Sequence, residues 1–278
     1  MENRDGFYIA ELTTNQLKAI QTIELQVLKK FDEICVKHDL KYTFVGGTLI
    51  GAIRHKGFIP WDDDIDIAMP RKDFDKFKKY AIEELGENFF YQCIDTDQEY
   101  KYLYDKIRVN NTVFKEAYLA IYNIHHGIFF DIFPLDYLPS NLVNRWLLLN
   151  KCNFFRTILM CKYLDVNARK GKKKILAIIL KTIFNPLSYD FIIKQWRRME
   201  KEGDEKSGLI CMLENPKRKK QIFEEKWFEN LERVQFETIH GYIISEYDSY
   251  LIKNFGNYMI LPPDEKRKAI HDLYELKL

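Results

Sequence analysis

Apolar residues near the start of the chain recur every three or four positions, which is the period of one face of an α-helix. They are Ile20, Ile23, Val27, Phe31 and Ile34. Just before them, Thr13 and Gln16 have the spacing of a capping box. In this motif each side chain accepts a hydrogen bond from the backbone N–H of the other residue. The pattern predicts a helix that ends near Lys37.

Alternating polar and apolar positions predict the strands of a sheet. One such strand runs from Asp64 to Met69 and is expected to end at Pro70, and another covers 127–133 and is expected to end at Pro134. Weaker strand patterns cover 42–45, 89–94, 106–109 and 113–116, and helical patterns cover 48–53 and 71–85. The mixture predicts an α+β fold with a mixed β-sheet and flanking helices.

Helical periodicity replaces strand alternation after residue 140. Apolar segments with interspersed basic residues cover 144–163, 174–184 and 189–201. The sequence therefore predicts three parts: a catalytic core over 1–140, a basic amphipathic and mostly helical insert over 141–205, and a C-terminal part over 206–278 that packs back on the core. The end of the chain is expected to form a short helix, a turn and a final helix.

The net charge of +2 conceals a strong asymmetry. Residues 141–200 carry 13 basic and three acidic side chains, a net charge of +10, so the other 218 residues sum to −8. The total excludes a strongly basic nucleic-acid-coating protein, and no nucleic-acid recognition module is present. Five scattered cysteines without a CxxC pair favour a reducing cytoplasm over a disulfide framework or a zinc finger. Neither a transmembrane helix nor a signal peptide is expected.

Four acids lie within five residues, at Asp62, Asp63, Asp64 and Asp66. Because residues i and i+2 of a strand point to the same side, Asp64 and Asp66 should place two carboxylates next to each other. Their repulsion must be offset by a shared proton, a cationic side chain or a divalent metal, and Mg²⁺ prefers such oxygen ligands. A solvated strand end is the alternative.

A second feature lies upstream of these acids, where Gly46, Gly47 and Thr48 connect a strand to a helix. Glycines at a helix N-terminus let backbone N–H groups approach a phosphate, although Gly-Gly alone more often makes a turn. Arg54 and His55 follow one or two turns later, where a cation could reach a phosphate. Together with the paired acids, these residues indicate a site for phosphate and metal.

A third acid, Asp131, interrupts the apolar strand 127–133. A carboxylate in a buried strand is costly unless it is paired or bound to a metal. Two-metal phosphoryl transfer uses carboxylates on both sides of the reacting oxygen. Asp131 is therefore the natural third acid of the site.

These motifs resemble the signature of the LicD family. The resemblance is carried by residues 45–55, 58–67, 106–108 with 111–112, 130–136, 250–251, 255–259 and 261–263. It extends from about residue 25 to 271 and leaves out roughly 141–205. It implies a nucleotidyltransferase-like fold in which Asp64, Asp66 and Asp131 bind one or two Mg²⁺ ions, or Mn²⁺ in their place. Asp131 would be either the general base or a metal ligand only.

The resemblance also implies an activity. LicD proteins transfer phosphocholine or another phospho-alcohol from a CDP-activated donor, such as CDP-choline, to a sugar hydroxyl of a cell-surface glycan such as teichoic acid, and CMP leaves. The donor phosphates would be bound by Gly46, Gly47, Thr48, Arg54, His55, Lys106 and Arg108. Two alternatives stay open: a nucleotidyltransferase that moves a nucleoside monophosphate to a small hydroxyl compound, and an inactive membrane-associated assembly factor.

The basic insert has three possible explanations: solvated helices, a nucleic-acid surface or a membrane-surface patch. Apolar faces interleaved with Lys and Arg, as in 146–149 and 175–179, suit an interfacial helix on anionic lipid. The resemblance adds lipid-linked glycan acceptors at the inner leaflet. We therefore expect a cytoplasmic protein at the inner face of the plasma membrane, with no nucleic-acid partner.

Overall fold

The computed structural model describes residues 12–162, 166 and 171–278, so the last residue of the predicted helix 144–163 lies outside the described residues. The described residues divide into two compact units. The core unit consists of 12–135 and 223–278, and the insert unit consists of 136–222.

The secondary structure follows the predicted alternation of helices and strands over the first 136 residues. The helices are α1 (Thr14–Lys37), α2 (Gly46–His55), α3 (Arg71–Glu84), α4 (Leu142–Lys162), α5 (Gly171–Phe184), α6 (Tyr189–Met199) and α7 (Tyr247–Phe255). The strands are β1 (Thr43–Phe44), β2 (Asp66–Pro70), β3 (Phe89–Gln92), β4 (Asp105–Val109), β5 (Val113–Glu116), β6 (Phe129–Tyr137), β7 (Leu209–Cys211), β8 (Ile222–Glu224), β9 (Leu231–Phe236), β10 (Ile239–Ile244) and β11 (Leu273–Lys277).

The first helix forms as its sequence predicts. The Thr13 hydroxyl accepts a hydrogen bond from the Gln16 N–H (3.2 Å), and the Gln16 side-chain oxygen accepts one from the Thr13 N–H (3.0 Å). The apolar stripe of α1 is buried, and the Phe31 ring lies 4.6 Å from Phe77 of α3 and 5.0 Å from Phe130 of β6. These contacts place α1 and α3 against one face of the sheet.

The main sheet of the core unit has the strand order β1-β2-β6-β4-β3. Strands β2 and β6 are parallel, and the other neighbours are antiparallel. This mixed sheet with flanking helices confirms the predicted α+β class. The parallel pairing also brings the beginnings of β2 and β6, which carry the predicted acids, side by side.

Strand β2 begins at Asp66 and not at the predicted Asp64, and two further predictions were wrong. Strand β6 does not end at Pro134 but continues to Tyr137. Its pairing with β4 stops at Ile132, so the proline, which lacks a backbone N–H, removes no hydrogen bond between these two strands. The predicted final helix is instead β11, which pairs antiparallel with β5. Its Leu273 is buried in a cluster with Ile20 and Phe114, and this burial favours a strand.

The insert unit contains the three predicted helices, α4, α5 and α6. Strand β7 pairs with the last two residues of β6, so residues 206–222, predicted to lie in the C-terminal part, belong to this unit. Helix α6 is capped by Ser188, whose hydroxyl accepts from the Phe191 N–H (3.1 Å). Trp196 and Met199 of α6 are buried, as are Leu148 and Cys152 of α4, which gives the unit its own small core.

Candidate active site

Three neighbouring strands of the main sheet each place one charged side chain at the same level. Asp66 of β2 is the register partner of Asp131 of β6, and Asp131 is the register partner of Lys106 of β4. Residues directly opposite each other on paired strands point to the same face. Lys106 Nζ lies 2.6 Å from Asp131 Oδ1, and both side chains are almost fully buried. The sheet thus brings two predicted metal ligands and one predicted phosphate-binding cation together.

The glycines at the start of α2 make room for two of the acids. A Cβ atom on Gly46 would lie 2.8 Å from Asp66 Oδ2, and one on Gly47 would lie 2.3 Å from Asp62 Oδ2. Helix α2 begins at Gly46, two residues earlier than predicted. The adjacent Thr48 hydroxyl is buried and accepts a hydrogen bond from the Asp66 N–H (2.8 Å). The Gly-Gly-Thr segment therefore holds the acids in place; its contact with a donor phosphate stays a prediction.

The acids that precede β2 form a compact group. One carboxylate oxygen from each of Asp62, Asp63 and Asp64 lies within 4.8 Å of the other two. Asp63 is fully buried and accepts hydrogen bonds from the backbone N–H groups of Ile270 (3.1 Å) and His271 (3.3 Å). Burial raises the pKa of Asp64 to about 6, against the lowering effect of the His271 charge. Burial and the neighbouring acids raise the pKa values of Asp62 and Asp66 as well.

A histidine from the C-terminal segment provides a cation beside these acids. His271 Nδ1 lies 3.2 Å from Asp63 Oδ1, and Nε2 lies 4.0 Å from Asp64 Oδ2 and 3.9 Å from Glu116 Oε1. Burial alone would lower the pKa of His271, but the hydrogen bond to Asp63 and the charges of Asp64 and Glu116 raise it to about 10. His271 is therefore protonated at neutral pH and ties the end of the chain to the acidic group.

Glu116 at the end of β5 links this histidine to a buried arginine. Arg108 is fully buried, donates to Gln92 Oε1 (2.7 Å) and to the Gly127 carbonyl (2.8 Å), and lies 3.8 Å from Glu116. Although burial alone would raise it, the charges of Lys106, His271 and Arg108 hold the pKa of Glu116 below its usual value. Because Arg108 is fully buried, an indirect role through Glu116 is favoured. A direct contact of Arg108 with phosphate stays a prediction.

The remaining predicted cations lie at the other end of α2. Arg54 donates to the Tyr258 carbonyl through Nη1 (2.5 Å) and to His55 Nδ1 through Nε (3.3 Å). Both side chains are partly exposed. The structure therefore joins Arg54 and His55 to the C-terminal segment, and no described contact joins them to the acids of β2 and β6.

Sequence reasoning missed Glu24, Glu116 and His271 as members of the site. Glu24 had a visible signal, because it occupies a position in the apolar stripe of α1, four residues after Ile20 and three before Val27. An acid in such a stripe must be buried when the helix packs. His271 had no comparable signal, since only the tertiary fold brings residue 271 next to residue 63.

The donor chemistry of the site fits a hard divalent cation. Seven carboxyl groups and three cationic side chains gather here: Glu24, Asp62, Asp63, Asp64, Asp66, Glu116 and Asp131 with Lys106, Arg108 and His271. Fully ionised, the acids exceed these cations by four charges. Buried carboxylates are costly without a counter-charge, and an all-oxygen donor set suits Mg²⁺ or Mn²⁺.

Comparison with known proteins agrees with this geometry. The family described as the LicD/FKTN/FKRP nucleotidyltransferase domain matches residues 39–145. This range includes β1 to β6 and all three predicted metal ligands. The lipopolysaccharide cholinephosphotransferase LicD of Haemophilus influenzae is 29% identical over 259 residues, which cover 92% of this chain and 96% of that protein. The chain is thus similar to LicD proteins, over residues 39–145 in the family match and over nearly its whole length in the match to the Haemophilus protein.

Two further relatives match shorter segments of the chain. An uncharacterized protein of Rickettsia typhi is 31% identical over 124 residues, 42% of this chain and 35% of that protein. An uncharacterized protein of Rickettsia prowazekii is 38% identical over 69 residues, 24% of this chain and 26% of that protein. The match to the Haemophilus protein, by contrast, extends over nearly the whole of both chains.

Replacing Gly46 with alanine is expected to disturb the acids as well as the backbone. Gly46 has a φ of +57°, so an alanine there costs about 1–2 kcal/mol of stability, and its Cβ would push against Asp66. Gly86 is the matched control, since it has a φ of +80° and no described atom lies within 4 Å of the place that a Cβ would take. Denaturant unfolding should show similar losses for both variants, whereas only Gly46→Ala should weaken Mn²⁺ binding. Equal Mn²⁺ affinity in the two variants would contradict this account of the glycine.

His271 is expected to make the metal-free protein pH-dependent. Its folded pKa of about 10 lies above the unfolded value of about 6.5. Its stabilisation is therefore fully present below about pH 6.5 and is lost as the pH rises through about 10. In EDTA, His271→Gln should lower the free energy of unfolding on the order of 2–4 kcal/mol at pH 6.5, and the difference from wild type should shrink towards pH 10. The exposed His240→Gln should match wild type throughout.

Proposed function

We propose that this protein transfers phosphocholine, or a related phospho-alcohol, from a CDP-activated donor to a sugar hydroxyl of a cell-surface glycan precursor such as teichoic acid. CMP is released, and the reaction depends on Mg²⁺. The phosphotransferase class follows from the family and from the relative named as a cholinephosphotransferase. The observation that best supports this proposal is the strand register that aligns Asp66, Asp131 and Lys106. Phosphoryl transfer uses carboxylates to bind the metal ion and a cationic side chain to contact the phosphate oxygens.

Each residue of the site has a role in this reaction. Asp64, Asp66 and Asp131 would hold Mg²⁺, which when bound neutralises phosphate charge and acidifies a nearby hydroxyl. Lys106, which lies 2.6 Å from Asp131, would donate to a phosphate oxygen. The sugar hydroxyl forms the new P–O bond as the bond from phosphorus to the CMP oxygen breaks, and the hydroxyl proton passes to Asp131 or to solvent. His271 keeps Asp63 and Asp64 in position.

Aromatic rings beside Lys106 support a quaternary-ammonium substrate. The rings of Tyr102 and Tyr104 lie 5.3 and 5.5 Å from Lys106 Nζ, and Phe133 lies 4.6 Å from Tyr104. The Tyr118 hydroxyl donates to Glu116 (2.7 Å) and is hydrogen-bonded to that of Tyr102. All four rings are at least partly exposed. Aromatic faces attract quaternary ammonium groups, so we assign choline recognition to these rings.

A calorimetric screen of CDP-choline, CDP-ribitol, CDP-glycerol and CDP-ethanolamine with Mg²⁺ tests the donor. CDP-choline is expected to bind most tightly. Tyr104→Ala should weaken CDP-choline binding by about 3- to 30-fold, as the loss of a cation–π contact implies, and should leave CDP-glycerol binding unchanged. Tyr104→Phe, which keeps the ring, is the control. If Tyr104→Ala weakened the binding of CDP-choline and CDP-glycerol equally, the rings would not be the choline-binding site.

We also propose that the insert unit binds an anionic membrane surface at the inner leaflet, where a lipid-linked acceptor would be presented. Helix α5 exposes five large apolar side chains, Ile175, Leu176, Ile178, Ile179 and Ile183. Lys172, Lys173, Lys174 and Lys181 lie on the same helix. An apolar face flanked by lysines suits an interfacial helix. Among the described residues, no single helix is long and apolar enough to cross a bilayer; α5 and α6 pass that test only as a pair, bent by 79°.

Vesicle sedimentation tests this membrane proposal. At low salt the protein should sediment with phosphatidylglycerol vesicles and much less with phosphatidylcholine vesicles, because anionic lipid attracts the lysines. Ile175→Ser should reduce the bound fraction. Ile82→Ser is the matched control, since Ile82 lies on α3 of the core unit and is 61% exposed, against 60% for Ile175. Identical sedimentation with both lipids, or equal effects of both variants, would refute the proposal.

A further inference from the structure

The turn of the hairpin formed by β9 and β10 is joined to the loop 56–61, which leads from α2 to the acids. The Glu237 N–H donates to the Lys56 carbonyl (2.7 Å), and Glu237 Oε1 accepts a hydrogen bond from the Phe58 N–H (3.1 Å). The Phe58 ring also lies 4.9 Å from the ring of Phe236. One residue of the turn thus holds the backbone of the loop at two points.

Both sides of this contact adopt a backbone conformation that side chains disfavour. Glu237 has a φ of +53°, and Lys56 has a φ of +62°. Residues other than glycine persist in this region only where the surrounding structure fixes them. The hydrogen bond between the Glu237 N–H and the Lys56 carbonyl joins these two residues directly. The contact is therefore a specific one and not a chance approach of two loops.

Gly57 makes room for the same contact. The left-handed position after a helix is usually a glycine, but after α2 it is Lys56, and the glycine follows one residue later. A Cβ atom on Gly57 would overlap Glu237 Oε1, and one on Gly51 would overlap the Gly57 carbonyl oxygen. The loop is thus packed closely between α2 and the Glu237 carboxylate.

The other end of the loop leads into Asp62, the first acid of the compact group. The Asp62 N–H donates to the carbonyl of Ile59 (2.9 Å), which directly follows Phe58 in the chain. Phe58 and Ile59 are both buried. The Asp62 carboxylate in turn packs against Gly47 of α2. A shift of the Phe58 backbone would therefore reach Asp62 through a single turn of the chain.

We propose that Glu237 is a positioning residue of the active site, which fixes the place of Asp62 among the acids by binding the backbone of the loop 56–61. Glu237 is itself exposed, and the replacement of an exposed side chain usually changes stability little. An effect on the site can therefore be told from an effect on the fold. The inference rests on the proposed function for its kinetic consequence only, because the position of the loop can be measured without donor or acceptor.

Hydrogen exchange of the full-length, metal-free protein, followed by NMR, tests the contact. In Glu237→Ala the amides of Phe58 and Asp62 should exchange about tenfold faster than in wild type, as the loss of one hydrogen bond to a carboxylate implies. Glu237→Gln keeps an oxygen acceptor and should exchange as wild type does. Arg233→Met is the matched control, because it breaks the ion pair of the same hairpin with Asp32 of α1 (2.7 Å). It should leave both amides unchanged.

Steady-state kinetics distinguish positioning from stability. Glu237→Ala should lower kcat about tenfold and leave KM for CDP-choline nearly unchanged, because a displaced acid disturbs the reacting geometry more than the binding of the donor. Glu237→Gln should have the wild-type kcat. Arg233→Met should also keep the wild-type kcat, although the loss of its ion pair with Asp32 should lower its unfolding midpoint.

A second variant covers the case in which Glu237→Ala does not fold. Gly57→Ala should displace the Glu237 carboxylate with its Cβ atom and should give the same faster exchange and lower kcat. Unchanged exchange at Asp62 or a wild-type kcat in the folded variant, or an equal loss of kcat in Glu237→Gln, would overturn the proposal. Faster exchange at Phe58 and Asp62 in a protein that does not turn over CDP-choline would leave the proposal standing and reject the proposed reaction.

Discussion

Asp66→Asn and Asp131→Asn are each expected to lower the rate of phosphocholine transfer by about 10³-fold, the loss found when one preorganised electrostatic group is removed from an active site. Asparagine keeps the shape of the side chain but lacks the negative charge that holds a divalent cation. Both acids lie at register positions on the parallel pair β2 and β6, so either change should weaken binding of the proposed metal ion.

Initial rates with saturating Mg²⁺ and CDP-choline measure this effect. Asp105→Asn, on the neighbouring strand β4, controls for removal of a buried carboxyl in the same sheet and should stay within a few-fold of wild type. Circular dichroism and the unfolding midpoint show whether each variant is folded. A folded Asp66→Asn that keeps more than about a tenth of the wild-type rate would be incompatible with the metal assignment.

Lys106→Met is expected to be the most destabilising single change in the site. It removes the cation 2.6 Å from Asp131 and leaves that carboxylate buried without its partner. Breaking a buried ion pair in this way costs about 3–5 kcal/mol. The apolar body of methionine keeps the packing against the Phe129 ring, which lies 3.5 Å from Lys106 Nζ. The effect therefore reports charge rather than volume.

A double-mutant cycle with Asp131→Asn isolates the pair. The double variant should be more stable than Lys106→Met alone, because no unpaired charge remains. The exposed pair of Lys37 and Glu84 is the reference, since Lys37 is 63% exposed and its side chain lies in solvent; Lys37→Met should cost no more than about 1 kcal/mol. Additive effects of Lys106→Met and Asp131→Asn would show that the two side chains do not stabilise each other.

Local sequence patterns predicted most of the elements of the core. The capping box and stripe of α1 depend only on neighbouring residues and formed as predicted. The alternation of β2 also produced a strand, but this strand begins at Asp66, two residues later than predicted, and includes Pro70. The acids of the site were also visible, because Asp131 interrupts an apolar strand and Asp64 and Asp66 repeat at strand spacing. Chemistry that depends on residue type and local period can be predicted from one sequence.

Tertiary register could not be predicted in the same way. Nothing local places Lys106 opposite Asp131, since strand order and pairing are set by the packing of the whole sheet. The final segment shows the same limit: it was predicted to be a helix, but pairing with β5 makes it a strand and brings His271 to Asp63. Glu24 is an intermediate case: the sequence predicted the apolar stripe of α1, but not that this stripe includes a buried acid.

The central claim is that a phosphoryl group attached to choline, and not a nucleotide, moves to the acceptor. Incubating the protein with Mg²⁺, teichoic acid and CDP-choline labelled with ³²P at the choline-bearing phosphate tests it most directly. We predict unlabelled CMP, label in the glycan, and neither product with EDTA or with Asp66→Asn. Label that stays with the small-molecule fraction while cytidine enters the acceptor, or equal products with and without metal, would contradict the account.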